Sequence, residues 1–258
     1  MDRMMITPQS LAASFSLVVI ALFISYREKL QVEKELFVAV ARMIIQLALV
    51  GFVLTYIFQW DKPYITVAVA FLMTLNAARV ASQRGGNIPG AFRISLISIM
   101  VSSGIAMAIL LLTGGIRLIP QQIIPINGMM LGAGLSITGL SFRNLSNSMA
   151  SKQKEITEKL ALGASVKQAS MGVIRESIKI SLQPTIDTTK TVGLVTLPGM
   201  MTGMIFSGTI PLQAIMYQIM IYFMISAVAA ITAVLATYQA YPTFFNDKGQ
   251  LKVEQINQ

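Results

Sequence analysis

The 258-residue chain has no cysteine and no histidine. Disulfides are therefore impossible, and thiolate or imidazole metal sites are excluded. Ser-His and Cys-His nucleophilic catalysis are excluded with them, as is the usual proton relay near neutral pH. Charge is scarce: Asp, Glu, Lys and Arg make up 12% of the residues, against about 25% in soluble domains. With 54% hydrophobic residues and a mean hydropathy of +0.67, too little polar surface remains to coat a soluble fold, so the chain reads as an integral membrane protein. No catalytic residues are expected, and the chain is not read as an enzyme. The charge present is lopsided, 20 Lys and Arg to 11 Asp and Glu, for a net +9. No basic face with interleaved aromatics accompanies it, which argues against nucleic acid as a partner. Basic cytoplasmic loops beside membrane lipid account for the excess better.

Runs of about 20 apolar residues, the length a ~30 Å hydrocarbon layer requires, predict seven spans. They cover about Pro8–Ser25, Leu36–Phe58, Tyr64–Ser82, Ala91–Leu112, Ile119–Leu140, Thr189–Phe206 and Ala214–Tyr238. The first lacks a basic leader and a small-residue cleavage site and is read as a retained span. The sixth is interrupted by Pro198-Gly199. The predicted fold is an all-α polytopic membrane protein of about seven transmembrane helices. Residues 1–258 are expected to form a single transmembrane domain, with a cytoplasmic loop over 141–188 within it. Fifteen basic residues fall on one predicted side, while Arg3, Lys62 and Arg117 fall on the other. The positive-inside rule then puts the N-terminus outside, with the large loop and C-terminus in the cytoplasm. No internal repeat is evident, so an inverted-repeat transporter gains no support.

The loop is the most informative stretch. Arg143 to Lys190 holds eight basic and four acidic residues. Lys154–Leu162 suggests a short helix, with Gly163 suited to the left-handed position after it. Ser165 with Gln168 fits a capping box. Val166, Ala169, Val173, Ile174, Ile178 and Leu182 then follow helical spacing, and Pro184 is expected to stop that helix. Two readings stand: a surface hairpin, or a coupling helix that enters a groove on a cytoplasmic partner.

Inside the spans, charged side chains cost about 2.5–3.5 kcal/mol on insertion scales and usually face protein or water. Arg42, with Gln46 at i+4, and Arg79, with Asn76 at i−3, either snorkel to the interface or line a polar cavity. Asp187 and Lys190, at i, i+3, are either an interfacial ion pair or a pair that rearranges during transport. Gly128-x-x-x-Gly132 and Gly199-x-x-x-Gly203 permit close helix packing, and Pro198-Gly199 is a candidate gating kink. Met129, Met130, Met200, Met201, Met204, Met216, Met220 and Met224 are read as packing in preference to a soft-metal cluster. Asp187 is the first candidate to contact a cation. Asn76, Asn127 and carbonyls are the remaining weak oxygen sites.

Ala161-Leu162-Gly163-Ala164-Ser165 before an amphipathic helix resembles the cytoplasmic loop of ABC-transporter permeases. Glu158 lies one place nearer the glycine than the importer pattern has it. Arg117-Leu118-Ile119-Pro120, Asn127-Gly128-Met129-Met130, Pro184 through Val195 and Leu197-Pro198-Gly199-Met200-Met201-Thr202-Gly203 resemble the FetB (YbbM-type) permease family over nearly the whole chain. That resemblance implies the membrane subunit of an ABC exporter linked to iron homeostasis, in a bacterial inner membrane. It also implies kinship with plant aluminium-tolerance half-transporters. It makes Glu158, Leu162, Gly163, Ala164 and Ser165 the partner-coupling candidates and favours a role in transport for Asp187 and Lys190; Asn76, Arg79 and Asn127, polar residues within spans, are the other candidates for the translocation path. The chain has no Gly-x-x-x-x-Gly-Lys-Ser/Thr phosphate loop, so ATP and Mg would be held by a separate ATPase. Two ATPase subunits facing each other would imply a permease homodimer. An ATP-independent secondary transporter or channel is the alternative.

Overall fold

The computed structural model describes residues 7–60, 63–86 and 88–252. Arg3 and Lys62, both counted toward the outer side, lie outside the described residues. The described residues are helical and contain no named strand, and six helices are long and apolar enough to cross a bilayer. The chain is thus a polytopic all-α membrane protein. It divides into two compact units, Met1–Trp60 and Asp61–Gln258.

The first unit holds α1 (Pro8–Ser14), α2 (Ser16–Arg27) and α3 (Glu33–Trp60). Thr7 caps α1 by accepting the Ser10 amide, with Pro8 in the first turn, a position where the missing N–H costs nothing. Lys29 and Gln31 take positive φ in the turn after α2, and the Ser25 hydroxyl donates to Glu33 across it (2.9 Å). The apolar side chains of α3 point outward, among them Leu47 and Phe52, as expected where lipid is the solvent.

The second unit holds α4 (Pro63–Gln83), α5 (Ala91–Leu112), α6 (Pro120–Ser151), α7 (Gln153–Ala161), α8 (Val166–Thr191), α9 (Gly199–Phe206) and α10 (Pro211–Ala240), followed by a 3-10 turn over Tyr241–Phe244. α10 packs on α5, α6 and α8, while α4 packs on α5 and α6. Small and hydroxylated residues line these contacts. Ser95, Ser98, Ser102 and Ser103 of α5 are all buried, and Ser102 meets Thr232 of α10 at 2.7 Å. Gln239 donates to Ser98 (3.2 Å). Such residues let helices approach closely and bond across the interface where no hydrophobic drive separates lipid from core.

Two sequence expectations are corrected. Pro184 does not end its helix: α8 runs through it to Thr191. Proline withholds an N–H from the carbonyl one turn back, but helices packed against neighbours tolerate the loss when hydroxyls and adjacent helices serve the backbone. The carbonyl one turn back from Pro184 is that of Ile180; beyond the proline, Thr188 and Thr189 donate to the carbonyls of Pro184 and Thr185, each at 2.8 Å, adding side-chain bonds to the last turns of α8. The second correction concerns Thr189–Phe206, expected as one span. It comprises the end of α8, an irregular turn over 192–198 and the eight-residue α9. Gly193 at φ +85 and the extended Pro198 stop the helix there. The turn closes on itself, with Gly193 N–H bonded to Thr196 O and Val195 N–H to Thr191 O, both at 2.9 Å.

The chain reaches this segment along α8. Ile156, Ala169 and Val173 share an apolar cluster with Phe244 and Phe245 beyond the end of α10. Met200 of α9 packs instead with Ile116 and Ile123, at the junction of α5 and α6. From Val166 to Met200 the chain therefore passes from one end of the bundle toward the other, with the end of α8 beside Ser226 and Ala230, midway along α10. At 1.5 Å per residue, the 26 residues of α8 reach about 39 Å.

Candidate functional site

The site is built along α8. At its base, α6 extends eleven residues past the predicted end of its span, burying Phe142, Leu145 and Met149. Lys152 after α6 clasps Glu176 of α8. That hydrogen bond, which outweighs desolvation, holds the Lys152 ammonium above its ordinary pKa. Lys159 pairs with Glu155 one turn earlier on α7, and its hydrogen bond holds the Glu155 carboxyl below the ordinary glutamate value.

The α7–α8 junction follows from its residues. Gly163 sits at φ +90, a region side chains avoid. Its N–H bonds to Leu160 O and that of Ala164 to Lys159 O, both at 3.0 Å. These are the paired bonds of a Schellman cap. Two residues later Ser165 and Gln168 close a reciprocal capping box, with Ser165 N–H to Gln168 Oε1 at 2.9 Å. Leu162 stands 88% exposed at the tip, and Glu158 is also exposed. A groove of about 810 Å³ runs beside the junction, lined by Thr157, Leu160, Ala164 and Ser165. Its second wall is the C-terminal stretch from Lys248 to Leu251, a contribution that sequence reasoning missed. Asn246 organises that stretch by accepting the amides of Lys248 and Gln250.

Higher on α8 the helix turns polar. Asp187, Thr188, Lys190 and Thr191 are exposed. Asp187 lies 3.8 Å from Lys190 and accepts from Gln183 Nε2 at 2.9 Å. Lys190 and Thr189 share a cavity of about 290 Å³ with Ser226 and Ala230, which stand midway along α10. These charges thus sit level with the middle of a span. Asn144 of α6 reaches Ser181 of α8 at 3.3 Å and fixes the two helices in register.

The other predicted residues fall into separate places. Asn127 is buried and donates to Ala70 O of α4 (3.3 Å), which makes it a helix tie. Asn76 and Arg79 are exposed on α4. A Cβ on Gly128 would lie 3.4 Å from Met73, whereas one on Gly132, Gly199 or Gly203 would meet nothing within 4 Å. Pro198 is the N-cap of α9. Met130 and Met224 are buried in an apolar cluster and Met129, Met200 and Met220 pack against it, while Met216 is exposed. Among the described residues, no group of three or more acidic residues is placed to hold a metal.

Residues 8–245 match the family described as "Uncharacterised protein family (UPF0014)". The chain is 47% identical to the "Probable iron export permease protein FetB" of Escherichia coli strain K12, over 97% of each protein. It is 36% identical to the "UPF0014 membrane protein STAR2" of Oryza sativa subsp. japonica, over 93% of this chain and 84% of that protein. It is 35% identical to the "Protein ALUMINUM SENSITIVE 3" of Arabidopsis thaliana, over 93% and 88% respectively. No solved structure matches the chain.

Proposed function

This chain belongs to the UPF0014 family of membrane proteins, and from that premise we propose that it is the permease of an ABC exporter. It works as a homodimer in a bacterial inner membrane, driven by a separate cytoplasmic ATPase, with iron in some form as cargo. The iron assignment follows the printed name of the E. coli relative.

One observation carries the reading. Asp187, Thr188, Lys190 and Thr191 are exposed at mid-span level. Facing lipid, each charge there would cost about 2.5–3.5 kcal/mol. They face water or a second copy instead, as the wall of a translocation path between two protomers does. The same unbroken helix begins at the Ser165 capping box. A push at the α7–α8 hairpin therefore reaches the path through one rigid rod. The hairpin and the Lys248–Leu251 stretch line one groove, which supports placing both in the cytoplasm, with the N-terminus outside.

The test is ATPase activity in proteoliposomes holding this chain and its ATPase. Wild-type chain is expected to stimulate hydrolysis, and Leu162→Asp to abolish stimulation while leaving insertion intact. Solute flux without any ATPase, unaltered by Leu162→Asp, would replace this reading with an ATP-independent transporter or channel.

A further inference from the structure

The side of α8 turned toward the bundle carries Ile178, Ser181 and Leu182. The two apolar residues pack against Ile137 of α6 and Ala229 and Ala233 of α10, and Ser181 is held by Asn144 of α6. The opposite side is open. Ile180, Gln183, Asp187 and Lys190 lie on it at spacings of 3, 4 and 3 residues, which keep side chains in one stripe along a helix. All four are exposed. Just beyond the helix, Leu194 and Val195 are exposed as well. Neither solvent of a membrane protein suits this surface. Lys190 stands beside the middle of α10, where hydrocarbon penalises it and Asp187. Water penalises Ile180, Leu194 and Val195. A protein surface with apolar flanks and matching charges takes both. Within one chain the charges are poorly matched: Lys190 Nζ stands 3.8 Å from Asp187, outside hydrogen-bond reach. It has no other acceptor among the described residues. A second copy supplies the complement by symmetry, because an Asp and a Lys one turn apart on one stripe are self-complementary across a two-fold axis.

We propose that the stripe from Ile180 to Lys190 is the seam between two copies of this chain, with Asp187 of each copy paired to the partner's Lys190. The two helices run parallel, as a two-fold axis along the membrane normal requires. Alternating steps of 3 and 4 residues are those of side chains that meet along such a seam. Two reciprocal pairs leave the seam without net charge. This names the surface at which the homodimer of the permease reading forms, and it rests on that reading.

Charge exchange tests the pairing. Full-length Asp187→Lys and Lys190→Asp chains carrying different tags are expressed singly and together, and dimers are counted by pull-down from mild detergent. Two tagged wild-type chains should mix statistically, with about half of the dimers carrying both tags. Each charge variant alone should dimerise about tenfold or more weakly, because like charges then face each other. The two together should give mixed dimers almost exclusively, because each then meets opposite charges. A second measurement leaves the charges in place. The chain has no cysteine, so Ile180→Cys should give an oxidant-induced disulfide dimer in membranes. Thr188→Cys, exposed but turned about 100° round the helix from Asp187, should not. Statistical mixing of the two charge variants, or equal cross-linking of the two cysteine variants, would overturn the seam. If wild-type chains still dimerise in that case, the homodimer reading stands. Wild-type chain that stays monomeric would overturn the homodimer and the seam with it.

Discussion

Gly163→Ala isolates the backbone contribution of the hairpin. A Cβ at Gly163 would meet no atom within 4 Å, so steric overlap with neighbours contributes nothing. What remains is φ +90, which costs an L-residue about 1–2 kcal/mol. At 1.36 kcal/mol per tenfold, that shifts the equilibrium between the formed and opened cap by about 5- to 30-fold. The amides of Gly163 and Ala164, bonded to Leu160 and Lys159, report the opening directly. Hydrogen exchange in nanodiscs should show their protection falling by that factor in the alanine variant. Gly163→Asn should lose less, because asparagine tolerates the left-handed region. Amides of Ile174 and Ser177, deep in α8, should not change. Unaltered protection of Ala164 in Gly163→Ala would refute the assignment of strain, and equal loss throughout α8 would show that the substitution acts on the whole helix.

Three further outcomes follow from contacts inside the second unit. Gly85→Ala places a Cβ 2.7 Å from the ring of buried Phe142; overpacking of this kind costs about 1–3 kcal/mol and should lower the unfolding temperature in detergent, with Gly85→Ala/Phe142→Leu recovering part of it. Ser102→Ala should destabilise more than Thr232→Val. The first strands a buried threonine hydroxyl at about 1–3 kcal/mol. The second leaves Ser102 its Ile99 carbonyl (3.1 Å) and costs about 0.6 kcal/mol; thermal unfolding ranks the two. The Lys152–Glu176 clasp, with the lysine pKa raised, is fully present below the ordinary lysine value of 10.5 and is lost as pH rises through the raised value. The Glu155 contribution, with its pKa lowered, is present above 4.5 and lost as pH falls through the lowered value. Spin labels at Ser151→Cys and Lys179→Cys should therefore give one distance between those limits, broadened by Glu176→Gln at neutral pH.

Local chemistry made much of the hairpin legible. A glycine before Ser-x-x-Gln, followed by apolar residues at helical spacing, specifies a left-handed cap, a capping box and an amphipathic helix, all of which are neighbour-to-neighbour effects. The course of α8 was not legible, because two rules of local reading fail there. Proline stops helices whose freed carbonyl must find water, whereas α8 is held by α6 and α10. Hydropathy finds spans that face lipid, whereas α8 ends beside the middle of α10 with Asp187, Thr188 and Lys190 on its surface and so scores as a loop. The buried serines at 95, 98, 102 and 103 carried a usable signal, since hydroxyls recurring every third or fourth residue in an apolar helix mark the face that meets other helices.

Asp187 and Lys190 separate two accounts of the path. If Asp187 is a cation ligand, its carboxylate is what matters. If the pair serves to keep the wall of the path neutral, cancellation is what matters, and either charge alone is harmful. The structure favours the second account. One carboxylate oxygen already accepts from Gln183 at 2.9 Å and lies 3.8 Å from Lys190. Within the described residues of one chain, no group of three acidic residues forms around it. Because both side chains are more than half exposed, the pair itself adds little to stability, about 0–1 kcal/mol, so neither substitution should impair insertion. Their effect belongs to transport. Asp187→Asn and Lys190→Met should each slow ATP-driven efflux of a neutral iron chelate from proteoliposomes, by about tenfold if the stranded charge is worth about 1.4 kcal/mol to a passing neutral solute. The double variant should recover most of that loss, a coupling that a double-mutant cycle isolates. A double variant as inactive as Asp187→Asn would refute the neutrality argument and make the carboxylate a ligand, which a second copy of the chain would have to complete.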